Sequence, residues 1–178
     1  SVLSSDVKAL IIRSNYSQFF SAGGDVREWY SYKKEDAYKQ AYRGGKLLSD
    51  IENLPFVTIA AVSGSCLGGG CELALACDIR IATKDATFGQ PEILLGNGPS
   101  WGGYYRLMRT IGYAKAKEMI LLGDTYAADE AHGFGLVNRV VEDWEELLAT
   151  VSEMARRAAK NYDTATVSKL LVNQLGNG

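Results

Sequence analysis

The chain has 178 residues, of which 47% are hydrophobic and 22% are charged, a composition typical of one globular domain with a sizeable core. A formal net charge of −2 and an isoelectric point near 5.5 argue against nucleic acid or an anionic membrane as the main partner. No apolar run reaches transmembrane length, and residues 1–6 lack a basic region followed by an apolar stretch. We therefore expect one soluble, cytoplasmic domain over residues 1–178.

The front part of the chain alternates apolar runs with turns. Residues 7–13 predict a short buried strand, and residues 19–25 bring aromatic side chains to a small-residue turn. Apolar residues at helical spacing then predict an amphipathic helix within residues 37–54. The glycine pair 44–45 predicts a kink or a loosened turn in that helix. Basic side chains in this region alternate with acidic ones and are expected to form a solvated face: Lys33, Lys34, Lys39, Arg43 and Lys46.

The middle of the chain places a glycine turn between a predicted strand and a predicted helix. The apolar run 56–62 leads into the glycine triplet 68–70, and an alanine-rich helical segment that carries Glu72 follows. A further strand is predicted at 79–82, before a turn that carries Glu92. Strands first and helices after predict a mixed α/β domain with a helix-rich C-terminal part. Beyond an irregular loop at 94–100, helical patterns occur at 103–110, 113–121, 127–132, 143–158 and 163–173.

Backbone amides and a carboxylate come together at the N-terminus of the helix that carries Glu72. Glycines let a ligand approach the main chain, and the unpaired N–H groups of a first helical turn suit a developing anion. Glu92 supplies a second carboxylate, so the pattern suggests acid–base chemistry beside an oxyanion. Taken singly, Glu72 is more typical of a carboxylate that complements the helix dipole, and Glu92 alone is compatible with a surface acid in a loop; their joint spacing favours catalysis.

The remaining chemically reactive side chains predict neither a metal site nor a redox site. Cys66, Cys71 and Cys77 match no usual zinc or disulfide spacing. We expect them to be small buried thiols in a reducing cytosol. His132 is the only histidine, and because it lies away from the glycine and glutamate motifs we expect it to be structural.

Three motifs in one order carry a resemblance to a known family. They are AGGDVRE at 22–28, LGGGCELA at 67–74 and FGQPEILLG at 88–96, and the match continues through later glycines to residues 135–137. Together they resemble the crotonase superfamily, and within it most closely the enoyl-CoA hydratases. A lone glycine triplet would be weak evidence, whereas several linked motifs at consistent spacing are specific.

The resemblance implies an α/β fold in which ββα repeats coil into a spiral, with a helical C-terminal part that packs subunits into trimers or dimers of trimers. It implies an acyl thioester of coenzyme A as the substrate, and no cofactor besides the CoA that the substrate carries. The family has further strands before the matching region and further helices after it, so we expect the sequence to be truncated at both ends.

The resemblance also assigns roles to residues by motif position. The thioester oxygen is held by the backbone N–H groups of Gly24 and Gly69, and the catalytic carboxylates are Glu72 and Glu92. Four residues around the first of these turns are expected to contact CoA: Ala22, Gly23, Asp25 and Val26.

Both carboxylates together favour hydration of a trans-2-enoyl-CoA, because Glu72 and Glu92 can divide activation of water and delivery of a proton. Other crotonase reactions stay open, namely carnitinyl-CoA dehydration, double-bond isomerisation and thioester hydrolysis. RNA binding, which some relatives show, is disfavoured by the acidic charge. Trp101 stands where hydratases commonly have a small residue, so we expect a small pocket and short acyl chains. The residues that follow it are expected in the core or at a subunit contact: Tyr104, Tyr105 and Arg106.

Overall fold

The first six strands alternate between two four-stranded sheets in the structure, a computed structural model that describes residues 6–176. The first sheet is entirely parallel. In spatial order it contains β1 (Ala9–Arg13), β3 (Val57–Val62), β5 (Ile79–Thr83) and β8 (Arg139–Val141). In the second sheet the last strand is antiparallel to its neighbour. In spatial order it contains β2 (Phe19–Ser21), β4 (Ser65–Leu67), β6 (Thr87–Gly89) and β7 (Thr125–Ala127).

Each of the first three strand pairs leads into helical structure, so the chain makes the coiled ββα repeats expected from the motifs. The helices are α1 (Val26–Ser31), α2 (Lys34–Glu52), α3 (Gly69–Ala76), α4 (Gly103–Leu122), α5 (Ala128–Gly133), α6 (Trp144–Lys160) and α7 (Tyr162–Leu175). A short 3₁₀ helix, Pro91–Leu95, stands between β6 and α4. The last two helices form the predicted helical C-terminal part.

Apolar clusters cover both faces of the first sheet, so its central strands β3 and β5 are almost fully buried. Ile59 and Ile81 point to a cluster completed by side chains of α6, including Leu147. Ala60 and Val62 point the other way, into the main core with residues of α3 and α4. This main core supports the first turn of α3, which carries Glu72.

The long predicted elements are confirmed, with ends shifted by a few residues. The predicted strands at 7–13, 56–62 and 79–82 correspond to β1, β3 and β5. The remaining strands have three residues each, too few for a periodic pattern, and α1 was likewise not predicted. Residue 127 belongs to β7 rather than to the helix predicted at 127–132.

The kink or loosened turn predicted at glycines 44–45 is wrong. Helix α2 runs through both glycines to Glu52. Gly44 is explained by packing instead, because a Cβ there would lie 2.3 Å from Trp101 Nε1. At Gly112, where two helical patterns meet, α4 is kinked with a φ of +78°, a conformation that glycine adopts without strain.

Helix α7 is attached to the sheet end by a few polar contacts. Lys169 Nζ donates to Asp78 Oδ2 at 2.8 Å and to the Phe56 carbonyl oxygen at 3.0 Å. The outer side of α7 is apolar and more than half exposed. That side consists of Val167, Leu170, Leu171, Val172 and Leu175.

None of the helices in residues 6–176 is long and apolar enough to cross a membrane. The prediction that the sequence starts without a signal region concerns mainly residues 1–5, which lie outside the described residues. Residues 177–178 of the predicted domain also lie outside them.

Candidate active site

Glu72 is held by the main chain of a distant loop. It stands in the first turn of α3 with 2% of its surface exposed. Its Oε1 accepts hydrogen bonds from the N–H groups of Trp101 at 2.8 Å and Gly103 at 2.7 Å. Burial raises the pKa of Glu72, while these two N–H groups and the nearby charge of Arg106 oppose the rise. The carboxylate is therefore fixed in one orientation and has three features that favour its ionised form.

Glu92 is buried, and no cation among residues 6–176 forms an ion pair with it. It lies in the 3₁₀ helix with 4% of its surface exposed, so the alternative of a surface acid in a loop is wrong. Burial, with a smaller contribution from the charge of Glu72, raises the pKa of Glu92 from 4.5 to about 7. The charge of Glu72 reaches Glu92, so the structure brings the two predicted carboxylates into one site.

Gln90 is a polar neighbour of Glu92 that the sequence analysis did not single out. Its amide nitrogen is assigned to the side that faces Glu92, because an oxygen there would face only acceptors. In this orientation it donates to Oε1 at 2.9 Å and to Oε2 at 3.0 Å. Gln90 has no exposed surface. Its position two residues before Glu92 is a signal that could have identified it.

Each glycine of the triplet before Glu72 is required for a different reason. Gly68 has a φ of +54°, and a Cβ there would lie 3.2 Å from Glu92 Oε1. A Cβ on Gly69 would lie 2.4 Å from Trp101 Cζ3, and one on Gly70 would lie 2.2 Å from the Ser21 carbonyl oxygen. The turn thus brings Glu92, Trp101 and β2 close to the start of α3.

The two predicted oxyanion turns lie next to each other. Gly23 has a φ of +93°, and a Cβ there would lie only 2.8 Å from Gly69 N. Gly69 is the first residue of α3, where no acceptor is available within the helix. Within residues 6–176, no protein acceptor takes the N–H of Gly24 or of Gly69. Both donors are available to a ligand.

The residues expected to contact CoA surround the first turn. Ala22 and Val26 are exposed. Asp25 caps α1 by accepting a hydrogen bond from the main-chain N–H of Arg27 at 2.9 Å, and it also forms an ion pair with the guanidinium of Arg27. Asp25 therefore has a structural role at the start of α1, and Ala22, Gly23 and Val26 leave main-chain and apolar surface open beside Gly24.

Arg106 connects the site to α2. The sequence predicts this residue in the core or at a subunit contact but does not identify its partner. Its guanidinium has no exposed surface, and it forms an ion pair with Glu52 at 2.9 Å. It also donates to the Trp101 carbonyl oxygen at 2.8 Å. The same residue, Trp101, donates its N–H to Glu72, so Arg106 fixes the loop that orients the carboxylate. Tyr104 and Tyr105, in contrast, are exposed.

The other candidate side chains lie outside this arrangement. Cys66, Cys71 and Cys77 are buried free thiols, as predicted. Burial raises the pKa of Cys77 to about 12, so it is not a nucleophile near neutral pH. His132 stands in the last turn of α5, where its Nδ1 lies 2.8 Å from the Val137 carbonyl oxygen.

The coiled ββα repeats of this chain form the fold of the crotonase superfamily. The chain belongs to the enoyl-CoA hydratase/isomerase family, whose model matches residues 2–175. The resemblance inferred from the three motifs is therefore confirmed.

Curated relatives and solved structures agree with this family. The chain is 42% identical over 171 residues to the short-chain-enoyl-CoA hydratase of Clostridium acetobutylicum, with 96% of this chain and 65% of the relative covered. It is 41% identical over 169 residues to the crotonyl-CoA hydratase of Syntrophomonas wolfei, with 94% of this chain and 65% of the relative covered. The structure of an enoyl-CoA hydratase from Bacillus anthracis superimposes with a TM-score of 0.91 at 34% identity, over 96% of this chain and 66% of that one. The chain thus spans about two thirds of the length of these relatives.

Proposed function

We propose that this protein hydrates the double bond of a trans-2-enoyl-CoA thioester. The observation that carries the proposal is the pair of buried carboxylates with opposite surroundings. Glu72 is oriented by two N–H groups and lies near the charge of Arg106, whereas the pKa of Glu92 is raised to about 7. One carboxylate is suited to accept a proton and the other to donate one near neutral pH.

The reaction then follows from these assignments. Ionised Glu72 takes a proton from water as the water oxygen bonds to C3 of the substrate. The electron pair of the C2–C3 double bond moves toward the thioester carbonyl and generates an enolate. Protonated Glu92 delivers its proton to C2, and the product is a 3-hydroxyacyl-CoA. A proton passed from Glu72 back to Glu92 restores both groups for the next turnover.

The N–H groups of Gly24 and Gly69 are the proposed donors to the enolate oxygen. Charge on that oxygen is greatest in the transition state, so preorganised donors stabilise the transition state more than the bound substrate. Removal of one such donor typically costs about 2.7–4 kcal/mol of transition-state stabilisation. Support comes from the absence of a protein acceptor for either N–H within residues 6–176. Ala22, Gly23, Asp25 and Val26 belong to the proposed CoA contact around the same turn.

The relatives point to the same chemistry. The Clostridium acetobutylicum protein is a short-chain-enoyl-CoA hydratase, and the Syntrophomonas wolfei protein is a crotonyl-CoA hydratase. A homologue in Clostridioides difficile, 53% identical over 120 residues, is also a short-chain-enoyl-CoA hydratase. These names favour hydration over carnitinyl-CoA dehydration, isomerisation and thioester hydrolysis.

The product formed in ¹⁸O-labelled water tests the proposal. With crotonyl-CoA we expect a 3-hydroxybutyryl-CoA that carries one ¹⁸O on C3. Label in a free carboxylic acid would show thioester hydrolysis instead, and a mass-neutral shift of the double bond in a 3-enoyl-CoA would show isomerisation. Either product without hydration contradicts the proposal. The RNA-binding alternative is tested by a filter-binding titration at several salt concentrations, because phosphate contacts weaken steeply with ionic strength.

We also propose a homotrimer or a dimer of trimers, working in the cytoplasm. The apolar outer side of α7 supports a subunit contact, since its five residues Val167, Leu170, Leu171, Val172 and Leu175 are each more than half exposed. The three free thiols support a reducing compartment. Light scattering of the full-length protein at micromolar concentration tests the assembly, and a monomer would contradict it.

A further inference from the structure

The indole of Trp101 fills a narrow space between two helices. A Cβ on Gly44 of α2 would lie 2.3–2.5 Å from Nε1, Cδ1 and Cε2 of the indole. A Cβ on Gly69 of α3 would lie 2.4–3.2 Å from Cζ3, Cε3 and Cη2. The five-membered ring thus packs on one glycine and the six-membered ring on the other. Neither helix could approach the indole this closely with any other residue at these positions.

The same indole separates two cavities. A cavity of about 320 Å³ lies beside the oxyanion turns and is lined by Gly23, Leu48, Gly69, Leu73 and the indole. A cavity of about 400 Å³ lies toward α1 and is lined by Trp29, Tyr38, Ala41, Ser100 and the indole. Among the described residues, Gln40 and Trp101 alone line both cavities. The indole is therefore a wall shared by the two spaces.

The contacts that hold the catalytic loop fix the main chain from which the indole projects. The Trp101 N–H donates to Glu72 Oε1, and the Trp101 carbonyl oxygen accepts from buried Arg106. These two contacts fix the main chain of Trp101, and the close packing between Gly44 and Gly69 leaves the indole little room to rotate.

We infer that Trp101 determines the longest acyl chain that the enzyme accepts. The acyl chain of a bound substrate starts at the N–H groups of Gly24 and Gly69 and enters the cavity beside them. It meets the indole before it can reach the cavity toward α1. The inference rests on the proposed function and adds the substrate class, enoyl thioesters with short acyl chains. A bulky aromatic wall limits pocket volume, and excluded methylenes reduce the specificity constant by about tenfold or more each.

The test compares kcat/KM for crotonyl-CoA with that for trans-2-octenoyl-CoA. We expect the wild-type protein to prefer the four-carbon substrate, and Trp101→Ala to raise the octenoyl-to-crotonyl ratio by at least about tenfold because the two cavities join. Trp101→Phe removes less volume and should give an intermediate ratio, which keeps the test decisive if the alanine variant folds poorly. A ratio unchanged in both variants would overturn the inference.

A matched pair of glycines on α2 supplies the control. Gly44→Ala places a methyl group against the indole and should lower crotonyl-CoA turnover, whereas the nearest atom to a Cβ on Gly45 is Trp101 Cα at 4.0 Å. Gly45→Ala should therefore leave turnover unchanged. The double variant with Gly44→Ala and Trp101→Ala should recover activity lost in Gly44→Ala alone. Additive losses in the double variant would contradict the packing on which the inference depends.

Binding of saturated thioesters separates this inference from the proposed function. Butyryl-CoA and octanoyl-CoA have no double bond to hydrate, so calorimetric titration measures their dissociation constants without turnover. Trp101→Ala should favour octanoyl-CoA over butyryl-CoA by the same factor as in the kinetic ratio. A protein that hydrates no enoyl thioester but shows this change in binding would refute the proposed function alone. A protein that hydrates crotonyl-CoA without any change in either ratio would refute the role of Trp101 alone.

Discussion

Glu72 and Glu92 are nearly equally buried, with 2% and 4% of their surfaces exposed, yet their surroundings differ. Glu72 faces two main-chain N–H groups and the charge of Arg106, whereas Glu92 faces one neutral amide and the negative charge of its partner. The comparison shows that burial alone does not assign acid and base. The hydrogen-bond donors and charges around each carboxylate determine which one is the acid and which one is the base.

The largest expected effect comes from removal of either charge. Glu72→Gln and Glu92→Gln should each lower kcat for crotonyl-CoA hydration by about 10²–10⁴-fold, because each removes one proton-transfer group. The two act on one water and one substrate, so the double variant should lose much less than the product of the single losses. Steady-state kinetics measure this, with the dissociation constant of butyryl-CoA as a control for binding. Near-normal turnover in either single variant would refute the two-carboxylate mechanism.

Substitution of Arg106 should have the next largest effect. Its charge acts on Glu72 and not on Glu92. Arg106→Gln removes one of two cations that pair with Glu52, which retains Arg109, and should destabilise the protein by about 1–3 kcal/mol. It should also raise the pKa of Glu72 and move the acidic limb of the kcat/KM profile to higher pH. Arg106→Lys retains the charge and should largely preserve the position of that limb. An unmoved limb in Arg106→Gln would show that the guanidinium only stabilises the fold.

Glu92 should affect how stability depends on pH. Its pKa in the folded state is about 7 against 4.5 ordinarily, so between these values the folded state retains a proton that the unfolded state loses. Its contribution to the free energy of unfolding therefore falls as pH rises from 4.5 to 7 and is constant above that. The free energy of unfolding of Glu92→Gln minus that of wild type should be larger at pH 8 than at pH 5, by on the order of 2 kcal/mol. Urea unfolding at both pH values measures this, and an equal difference at both would contradict the raised pKa.

The smallest expected effect is that of Gln90. Its amide donates to both oxygens of Glu92 and so favours the ionised form. Gln90→Leu should raise the pKa of Glu92 and move the alkaline limb of the kcat/KM profile upward by roughly half a unit to one unit. The acidic limb, which reports Glu72, should not move. A downward shift of the alkaline limb would show that the amide stabilises the protonated form instead.

The sequence predicts the parts of the site whose chemistry is local. Glu72 follows a glycine triplet, and Glu92 belongs to a short motif, so both could be identified without knowledge of the fold. The strands β1, β3 and β5 could be predicted because each has five or six residues and is mainly apolar. The three-residue strands carry no such pattern.

Contacts between distant segments could not be predicted in the same way. The glycine pair of α2 suggests a weak helix, but the partner that explains Gly44 is Trp101, which lies in another segment. Likewise Arg106 meets Glu52 only because α4 packs near the end of α2. A single sequence contains no signal that pairs these residues, because their spacing reflects the path of the whole chain.

The alternation of strands between two sheets also affects how quickly the chain can fold. In the first sheet Ala9 pairs with Val57, and Ile81 pairs with Arg139, so a long loop must close before either pair forms. Loop closure of this kind slows folding, and apolar strands stay exposed while it proceeds. We therefore expect refolding from urea to be slow for a chain of this size, and the recovered fraction to fall as protein concentration rises, because unpaired parallel strands from different molecules then meet before each chain completes its own sheets.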